Sequence, residues 1–481
     1  MAEGRKRVTI ENVKPEIDCG GFPIRRVIGE KVVVEADIFS DGHDSLSARL
    51  LYKHKGDLQW KELPLTATGN DRWRGEFTVQ EPGVYDYTLR GWVDHFRTWQ
   101  KDLKKKYDAG NETGTDFLIG VEHIRRALGR SSGRDRTRLE DIINVLKVEK
   151  DRDKAVTIAT AEELGSLMEV YADHEIATTY EKVLSVVVDR ERALFSSWYE
   201  MFPRSCSPEE GRHGTFRDCE DLLPYIHKMG FDVLYLPPVH PIGRENRKGK
   251  NNSLTVASDD VGSPWAIGSD AGGHKSIHPD LGTLDDFIRF IDKAKEHGLE
   301  VAMDLAFQCS PDHPYVKEHP EWFTWRPDGS IQYAENPPKK YEDIIPLNFE
   351  TENWQELWNE MRDVVFFWIG KGIRIFRVDN PHTKPFAFWQ WLIDEVRRDY
   401  SGVIFLAEAF TRPKVMYRLA KIGFTQSYTY FTWRILQTQF LAQHARHPPR
   451  ASAIRGKKCL CGEACACCDT LVELRYLRPC L

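Results

Sequence analysis

The chain has 481 residues, enough for about two to four domains at roughly 100 to 200 residues each. Its composition, 41% hydrophobic, 11% aromatic and 29% charged, is that of a globular protein with a sizeable core, and 67 Lys+Arg against 73 Asp+Glu leave a net charge of −6. That balance excludes the global basic field of a nucleic-acid binder, and no window approaches the roughly 18 uninterrupted apolar residues of a spanning helix, so neither nucleic acid nor membrane is expected as a partner.

The amino terminus, MAEGRKRVTIENV, carries charge with no apolar stretch behind it. Cys19, Cys206, Cys219 and Cys309 are scattered singly, as in a reducing compartment, and a cytoplasmic location is expected. From about Val8 to Trp99, short alternating runs (KVVVEADIF, SARLLYKH, RWRGEFTV, GVYDYTLRGWV) are broken by turn signals. They predict a β-sandwich of immunoglobulin or fibronectin type over residues 1–115. VEHIRRAL, RLEDIINVLKV and AEELGSLMEVYADHEIA then show helical spacing and predict a helical insert over 116–190, an interaction or packing module.

From about Arg192 the rhythm becomes strand, loop, helix. ALFSSWYEMFPRS, FDVLYLPPVH, LEVAMDLAFQCS, IRIFRVDNPH and VIFLAEAFTRP are β-branched or aromatic runs, and amphipathic stretches such as TLDDFIRFIDKAKEHG lie between several of them. Repeated βα units mean a parallel sheet covered by helices. No GxGxxG or GxxxxGK[ST] follows these strands, which argues against nucleotide binding, and no cofactor is expected. Polar residues gather instead at the carboxyl ends of successive strands, where a (β/α)8 barrel builds its site.

The expected fold class is therefore multidomain α/β, with a (β/α)8-type barrel over 191–434 behind the sandwich and the insert. GFTQSYTYFTW supplies a sixth strand and no further strand-helix unit follows it, so the barrel reads as incomplete at its carboxyl end. Residues 435–481 are expected to be an aberrant, disordered Cys-rich tail. CLCGEACACC, spaced CxCx3CxCC, does not match the paired CxxC of zinc ribbons, and no metal site is expected there.

GIRIFRVDN carries the chemistry. Arg377 and Asp379, two apart on a strand, share one face at its carboxyl end. A guanidinium favours the ionised form of a neighbouring carboxyl, as a nucleophile requires; the same pair also reads as a structural ion pair at a strand end. The next strand ends in Glu408 within the apolar run VIFLAEAF, a setting that holds a carboxyl protonated as a general acid. Asp304, one strand earlier in VAMDLAF, would help hold Arg377. Two carboxyls in opposed environments on adjacent strand ends are the pattern of a retaining glycosidase-type reaction, which needs them about 5 to 5.5 Å apart.

An Asp after an apolar run, then RVD, then Glu at the next strand end resembles the α-amylase superfamily, glycoside hydrolase family 13. VHPIGRENRKGKNN, GGHKSIHPDLGT, QCSPDHPYVKEHPEWF, AENPPKKYEDI, RVDNPHTKPFAFWQWLI and FLAEAFTRPKVMYRLAKIGFTQSYTYFTWR resemble, more specifically, its GlgE type, the α-1,4-glucan:maltose-1-phosphate maltosyltransferases, and the likeness runs from about residue 8 to Arg434. Where ordinary amylases carry Asn-His, this chain has Gln308 and Cys309, as in the transferase subgroup. The resemblance implies α-maltose 1-phosphate and an α-1,4-glucan as substrates, a homodimer, and catalytic roles for Asp379, Glu408 and Arg377. It places Lys248, Gln308, Asp343 and Asn380 at donor-binding positions. It also implies a third Asp at a later strand end, a Lys-Tyr donor contact, two final strands and a C-terminal β-domain. None of these is found after Arg434, so the chain as given is expected to be inactive. Two readings from other classes stay open, a non-catalytic glucan-binding or dimerising fragment and an α-glucan hydrolase.

Overall fold

A computed structural model describes residues 4–148 and 151–428. The expectations for Arg434 and the Cys-rich tail, and residues 429–433 of the expected sixth strand, lie outside the described residues. The chain divides into two compact units, Met1–Val188 and Asp189–Leu481.

The first unit opens with β1 (Val8–Lys14), β2 (Ile24–Val27), β3 (Lys31–Ser40), β4 (Leu46–His54), β5 (Lys61–Pro64), β6 (Thr66–Gly69), β7 (Arg72–Thr78) and β8 (Gly83–Val93). Near its end it adds β9 (Thr178–Thr179) and β10 (Leu184–Asp189). One sheet runs β1-β3-β7-β6 and the other β2-β10-β8-β4-β5, with β9 on β8. The two-residue period decides which side chains go inside: Val32, Val34, Ala36 and Ile38 of β3 are buried and their neighbours are not. They share one core with Leu50, Tyr87 and Leu89.

Helices α1 (His95–Asp108), α2 (Gly114–Leu128), α3 (Gly133–Val148), α4 (Arg152–Ala159) and α5 (Glu162–Val170) lie between β8 and β9 and build their own core around Trp99, Leu103, Val121, Ile124 and Leu139. The helical run thus begins at His95, and the expected division at 115/116 falls inside α2. Residues 178–189, expected in the insert, return to the sheet as β9 and β10. The physical reasons are local. HFRTWQKDLKKKYD buries only Phe96, Trp99, Gln100 and Leu103, a helical stripe hidden among charges, while Asp94 caps it by accepting the Arg97 N–H.

In the second unit the parallel strands are β11 (Trp198–Glu200), β12 (Val233–Leu236), β13 (Glu300–Leu305), β18 (Ile375–Val378), β19 (Ile404–Ala407) and β20 (Gln426–Ser427), hydrogen-bonded in that order. Helices α6 (Phe216–Lys228), α7 (Leu284–Glu296), α9 (Trp354–Gly370), α10 (Phe386–Asp399) and α11 (Pro413–Lys421) alternate with them, as in an α-amylase-type barrel. α7 shows why the helices form. Thr283 and Asp286 make a capping box, and Phe287, Phe290, Ile291 and Ala294 bury one face at i, i+3, i+4 and i+7. The connection from β13 to α9 carries β14 (Gln308–Cys309), α8 (Pro314–Glu318), the hairpin β15 (Ala334–Asn336) and β16 (Lys339–Tyr341), and β17 (Ile345–Pro346), which pairs with β14. Among the described residues, no helix is long and apolar enough to cross a membrane.

Close packing inside the helical layer gives a direct test. A Cβ on Gly120 of α2 would lie 2.0 Å from the Trp99 ring of α1, so α1 and α2 approach this closely only because Gly120 has no side chain. Gly120→Ala, which raises intrinsic helix propensity, should nevertheless destabilise the protein by about 1 to 3 kcal/mol through overpacking, as read by denaturant or thermal unfolding.

Candidate active site

Parallel register sets the site. β13 and β18 align Asp304 with Arg377, and the ladder continues one residue past each strand: the Asp379 N–H donates to the Leu305 carbonyl at 3.0 Å and the Glu408 N–H to the Val378 carbonyl at 3.0 Å. Three carboxyls from adjacent strand ends are thereby turned toward one guanidinium. Arg377 Nη1 donates to Asp304 Oδ2 at 3.0 Å and to Asp379 Oδ1 at 2.6 Å, while Nη2 lies 3.8 Å from Glu408 Oε2. Tyr235 of β12 donates its hydroxyl to Asp304 Oδ2 at 2.5 Å.

One cation among three buried or half-buried carboxyls cannot keep all of them ionised. Burial, and after it the charge of Asp379, raise Asp304 to about 7 against the opposing pull of Arg377. Glu408 is also raised, by burial first and by Asp379 after it, against the opposing pull of Arg377. Burial works against the charge on Arg377, but Asp304, Tyr235, Asp379 and Glu408 outweigh it and raise its pKa. The cluster therefore retains a proton well above the usual carboxylate range.

Asn380 joins the two outer carboxyls. Its N–H donates to Glu408 Oε2 at 3.2 Å and its side-chain amide to Asp379 Oδ2 at 3.3 Å. Both directions are reached because its backbone is left-handed, at φ 42 and ψ 54, a conformation that Asn tolerates better than most residues. The Asn380 carbonyl in turn accepts from the Thr383 N–H and hydroxyl, at 3.1 and 2.8 Å, and from Lys384 Nζ at 3.4 Å.

Of the other sequence-predicted residues, Lys248 and Asp343 lie close together. Lys248 is only 5% exposed, with Nζ 3.6 Å from Glu342 Oε2. Asp343 is buried beside it; burial raises its carboxyl and Lys248 pulls it down. Gln308 donates its side-chain amide to the Trp265 carbonyl at 3.3 Å, and the β14–β17 pairing brings its backbone opposite Pro346. Among the described residues, no hydrogen bond or ion pair joins Lys248, Gln308 or Asp343 directly to Asp379 or Glu408. Beside the turn that follows Asn380, a groove of about 340 Å³ is lined by Thr324, Gln332, Asn348, Glu350, His382 and Lys384.

Sequence reasoning passed over Tyr235, whose only signal is one hydroxyl in the apolar run VLYL, and over a buried histidine pair. His274, Cys309 and His313 place possible ligand atoms within 4.8 Å of one another, yet the hydrogen bonds leave the imidazoles no lone pair for a metal. His274 Nε2 lies 3.0 Å from the Ala306 carbonyl, which only accepts, so its proton is on Nε2. His313 Nδ1 accepts the Tyr315 N–H, so His313 Nε2 carries the proton and donates to His274 Nδ1 at 3.0 Å. Burial holds both imidazoles neutral, His274 with a pKa of about 4. The pair is a brace under the Ala306 carbonyl, which also accepts the Gln308 N–H at 3.0 Å.

Arg377→Met should show how much depends on the guanidinium. It strands Asp304 without its buried cation, and the expected destabilisation is about 3 to 5 kcal/mol in chemical denaturation at neutral pH.

A family model described as alpha-1,4-glucan:maltose-1-phosphate maltosyltransferase, domain N/S, matches residues 6–190, and one described as alpha amylase, catalytic domain, matches residues 200–384. Proteins named alpha-1,4-glucan:maltose-1-phosphate maltosyltransferase are similar to this chain. The one from Chlorobaculum tepidum is 55% identical over 432 residues, which is 90% of this chain and 64% of that protein. That from Methylacidiphilum infernorum is 52% identical over 433 residues, with the same coverage of 90% and 64%. That from Myxococcus xanthus is 50% identical over 465 residues, 95% of this chain and 70% of that protein. The chain thus spans about two thirds of the length of these relatives. With sequence identity of this order running through both units, the chain belongs to the α-1,4-glucan:maltose-1-phosphate maltosyltransferase family of the α-amylase superfamily.

Proposed function

We propose that this site transfers a maltosyl unit from α-maltose 1-phosphate to the non-reducing end of an α-1,4-glucan, with retention of configuration and release of phosphate. The observation that supports it is the Arg377 guanidinium, which reaches Asp304, Asp379 and Glu408 at the ends of three adjacent strands. Asp379, held by Arg377 and Asn380, attacks the anomeric carbon. The bond from that carbon to the phosphate oxygen breaks, and Glu408 gives its proton to the departing oxygen. In the second half the glucan 4-hydroxyl loses its proton to Glu408 and displaces Asp379 from the anomeric carbon. Two inversions give net retention. Lys248 offers charge for the donor phosphate, and Gln308, Asp343 and Asn380 offer amides and a carboxyl for sugar hydroxyls. The scheme calls on no metal or cofactor.

Because the chain as given is expected to be inactive, the assignment is tested in a version extended to the full length of its relatives, incubated with α-maltosyl fluoride, whose leaving group needs little protonation. Glu408→Ala should accumulate a maltosyl ester on Asp379, detected by mass spectrometry of peptides, and Asp379→Ala should form none; an adduct on the Asp379→Ala protein would sink the assignment. With maltose 1-phosphate as donor, kcat should fall as pH rises through the raised Glu408 pKa, because only the protonated form is an acid. With the fluoride donor that alkaline limb of the first step should weaken. Phosphate release without chain lengthening would indicate a hydrolase.

The protein is also proposed to be a cytoplasmic homodimer. In support, Cys19, Cys206, Cys219 and Cys309 are all free thiols, and α2 turns Leu118 and Ile119 outward at 58% and 44% exposure. Sedimentation at tens of micromolar should give a dimer, and the double change Leu118→Lys with Ile119→Glu should shift it to monomer; a wild-type monomer would end this reading.

A further inference from the structure

Two of the four cysteines among the described residues lie against each other. Cys206 closes the short turn Pro203–Ser205 and is half-buried, whereas Cys219 belongs to the buried stripe of α6 with Phe216, Leu223 and Ile226. The chain folds back to bring them together. The Gly214 N–H donates to the Arg204 carbonyl at 2.8 Å. A Cβ on Gly214 would stand 2.2 Å from the Pro203 carbonyl oxygen and 2.9 Å from the Cys206 nitrogen, so only glycine lets the turn press against the start of α6. Thr215 caps that helix and its carbonyl accepts the Cys219 N–H at 3.1 Å, which sets Cys219 one turn inside.

The two thiols are hydrogen-bonded, and their roles differ. Cys206 Sγ donates to the Phe202 carbonyl at 3.3 Å, so the proton between the two sulfurs is that of Cys219. This bond lowers the pKa of Cys206 against the opposing effect of burial, and the same bond, with burial behind it, raises that of Cys219. Cys206 therefore takes the thiolate form first. It is also the one within reach of solvent, since residues 208–212, directly after it, are exposed. A buried cysteine alone reads as a small apolar core residue; a half-buried thiol hydrogen-bonded to a second thiol is a reactive arrangement.

We propose that Cys206 and Cys219 are a peroxide-responsive modification site, with Cys206 as the attacking thiolate and Cys219 as the resolving thiol. The Cys206 sulfur attacks one oxygen of hydrogen peroxide, the O–O bond breaks, hydroxide leaves and Cys206 becomes a sulfenic acid. Cys219 then attacks that sulfur. Its proton departs with the sulfenic hydroxyl as water, and the S–S bond forms. The thiols lose two electrons and the peroxide takes them up; a thiol reductant reverses the change. Position gives the bond a consequence. β11 ends at Glu200 and α6 begins at Phe216, so the bridge closes the loop between them, on the barrel face where the strands end. That loop braces the one after β12, where Arg204 Nη1 donates to the Gly262 carbonyl at 2.8 Å and Phe202 meets Trp265 edge to face at 6.3 Å. The proposal does not depend on the maltosyl-transfer reading.

Peptide mapping of the full chain tests the pair without requiring turnover. The reduced protein is treated with hydrogen peroxide, remaining thiols are blocked with N-ethylmaleimide, and trypsin is added with no reductant. Cleavage after Arg204, Arg212, Arg217 and Lys228 releases Cys206 in residues 205–212 and Cys219 in residues 218–228. These two peptides should appear joined, two hydrogens lighter than their sum, and should separate on adding dithiothreitol. Cys219→Ser should stop the reaction at the Cys206 sulfenic acid, trapped by dimedone on residues 205–212. Cys206→Ser should leave Cys219 reduced, as read by alkylation after unfolding. A parallel preparation with the six cysteines from Cys459 to Cys480 changed to Ser should give the same joined peptides. The wild type carries the main readout, so a variant that fails to fold leaves the test intact. Cys206 still open to alkylation once the exposed Cys19 is oxidised would overturn the proposal. So would Cys206 joined to any cysteine other than Cys219 in either preparation, or dimedone captured at Cys219.

Discussion

A single buried cation organises the catalytic face. The Arg377 guanidinium is enclosed by Asp304, Asp379, Glu408 and the ring of Tyr235, and a charge removed from water to this degree persists only with such partners. The converse also holds. Three carboxyls converge there only because a cation offsets their repulsion, and the offset is incomplete. Asp304, the most deeply buried, takes the largest penalty and lies near 7. Glu408, half-buried and further from the guanidinium, is raised without being locked. The raised Asp304 and Glu408 thus hold their protons more tightly than an ordinary carboxyl.

Backbone register converts this arithmetic into geometry. The ladder hydrogen bonds that fix the Asp379 and Glu408 amides belong to the parallel sheet, so the carboxyls inherit the rigidity of the barrel. Asn380 adds the link between them at the cost of a left-handed residue, which is about 1 to 2 kcal/mol for a residue with a Cβ. Thr383 and Lys384 close on its carbonyl and hold it there. Strain stored at one residue and restrained by its neighbours is consistent with a turn that must present a backbone N–H to one carboxyl and a side chain to the other.

Much of this was legible because periodicity is local. The alternating runs of the first unit and the βα rhythm of the second follow from which side chains must be buried, and the polar interruption in IRIFRVDN announces itself inside an apolar strand. What stayed hidden depends on contacts between distant segments. α1 escaped because its buried stripe is four residues wide in a charged sequence, whereas the three valines of LSVVVD did carry a strand signal, and only the pairing partner of β10, β8 about a hundred residues earlier, lay beyond local reading. Lys248 looks like a solvated charge in NRKGKNN, yet the loop folds it inward to 5% exposure beside Asp343. The Asn380 N–H leaves no trace in sequence, since every non-proline residue has one, and only the backbone conformation aims it.

The connection from β13 to α9 carries a share of both sides of the site, which explains its bracing. Gln308 and Asp343 belong to it, and so do Thr324, Gln332, Asn348 and Glu350 of the groove. A segment of this length would be mobile if it merely crossed the surface. Instead it is pinned at three levels. β14 pairs with β17 to close its base, and His274 and His313 tie its start to the loop after β12. Tyr315 hydrogen-bonds Glu360 of α9, which Lys275 also meets at 2.8 Å. The histidines serve as neutral donors and acceptors, so this brace does not loosen near neutral pH. The anchor of the connection is therefore α9, the helix that follows it in the barrel, so the segment carrying Gln308 and Asp343 is fixed to the barrel rather than left on its surface.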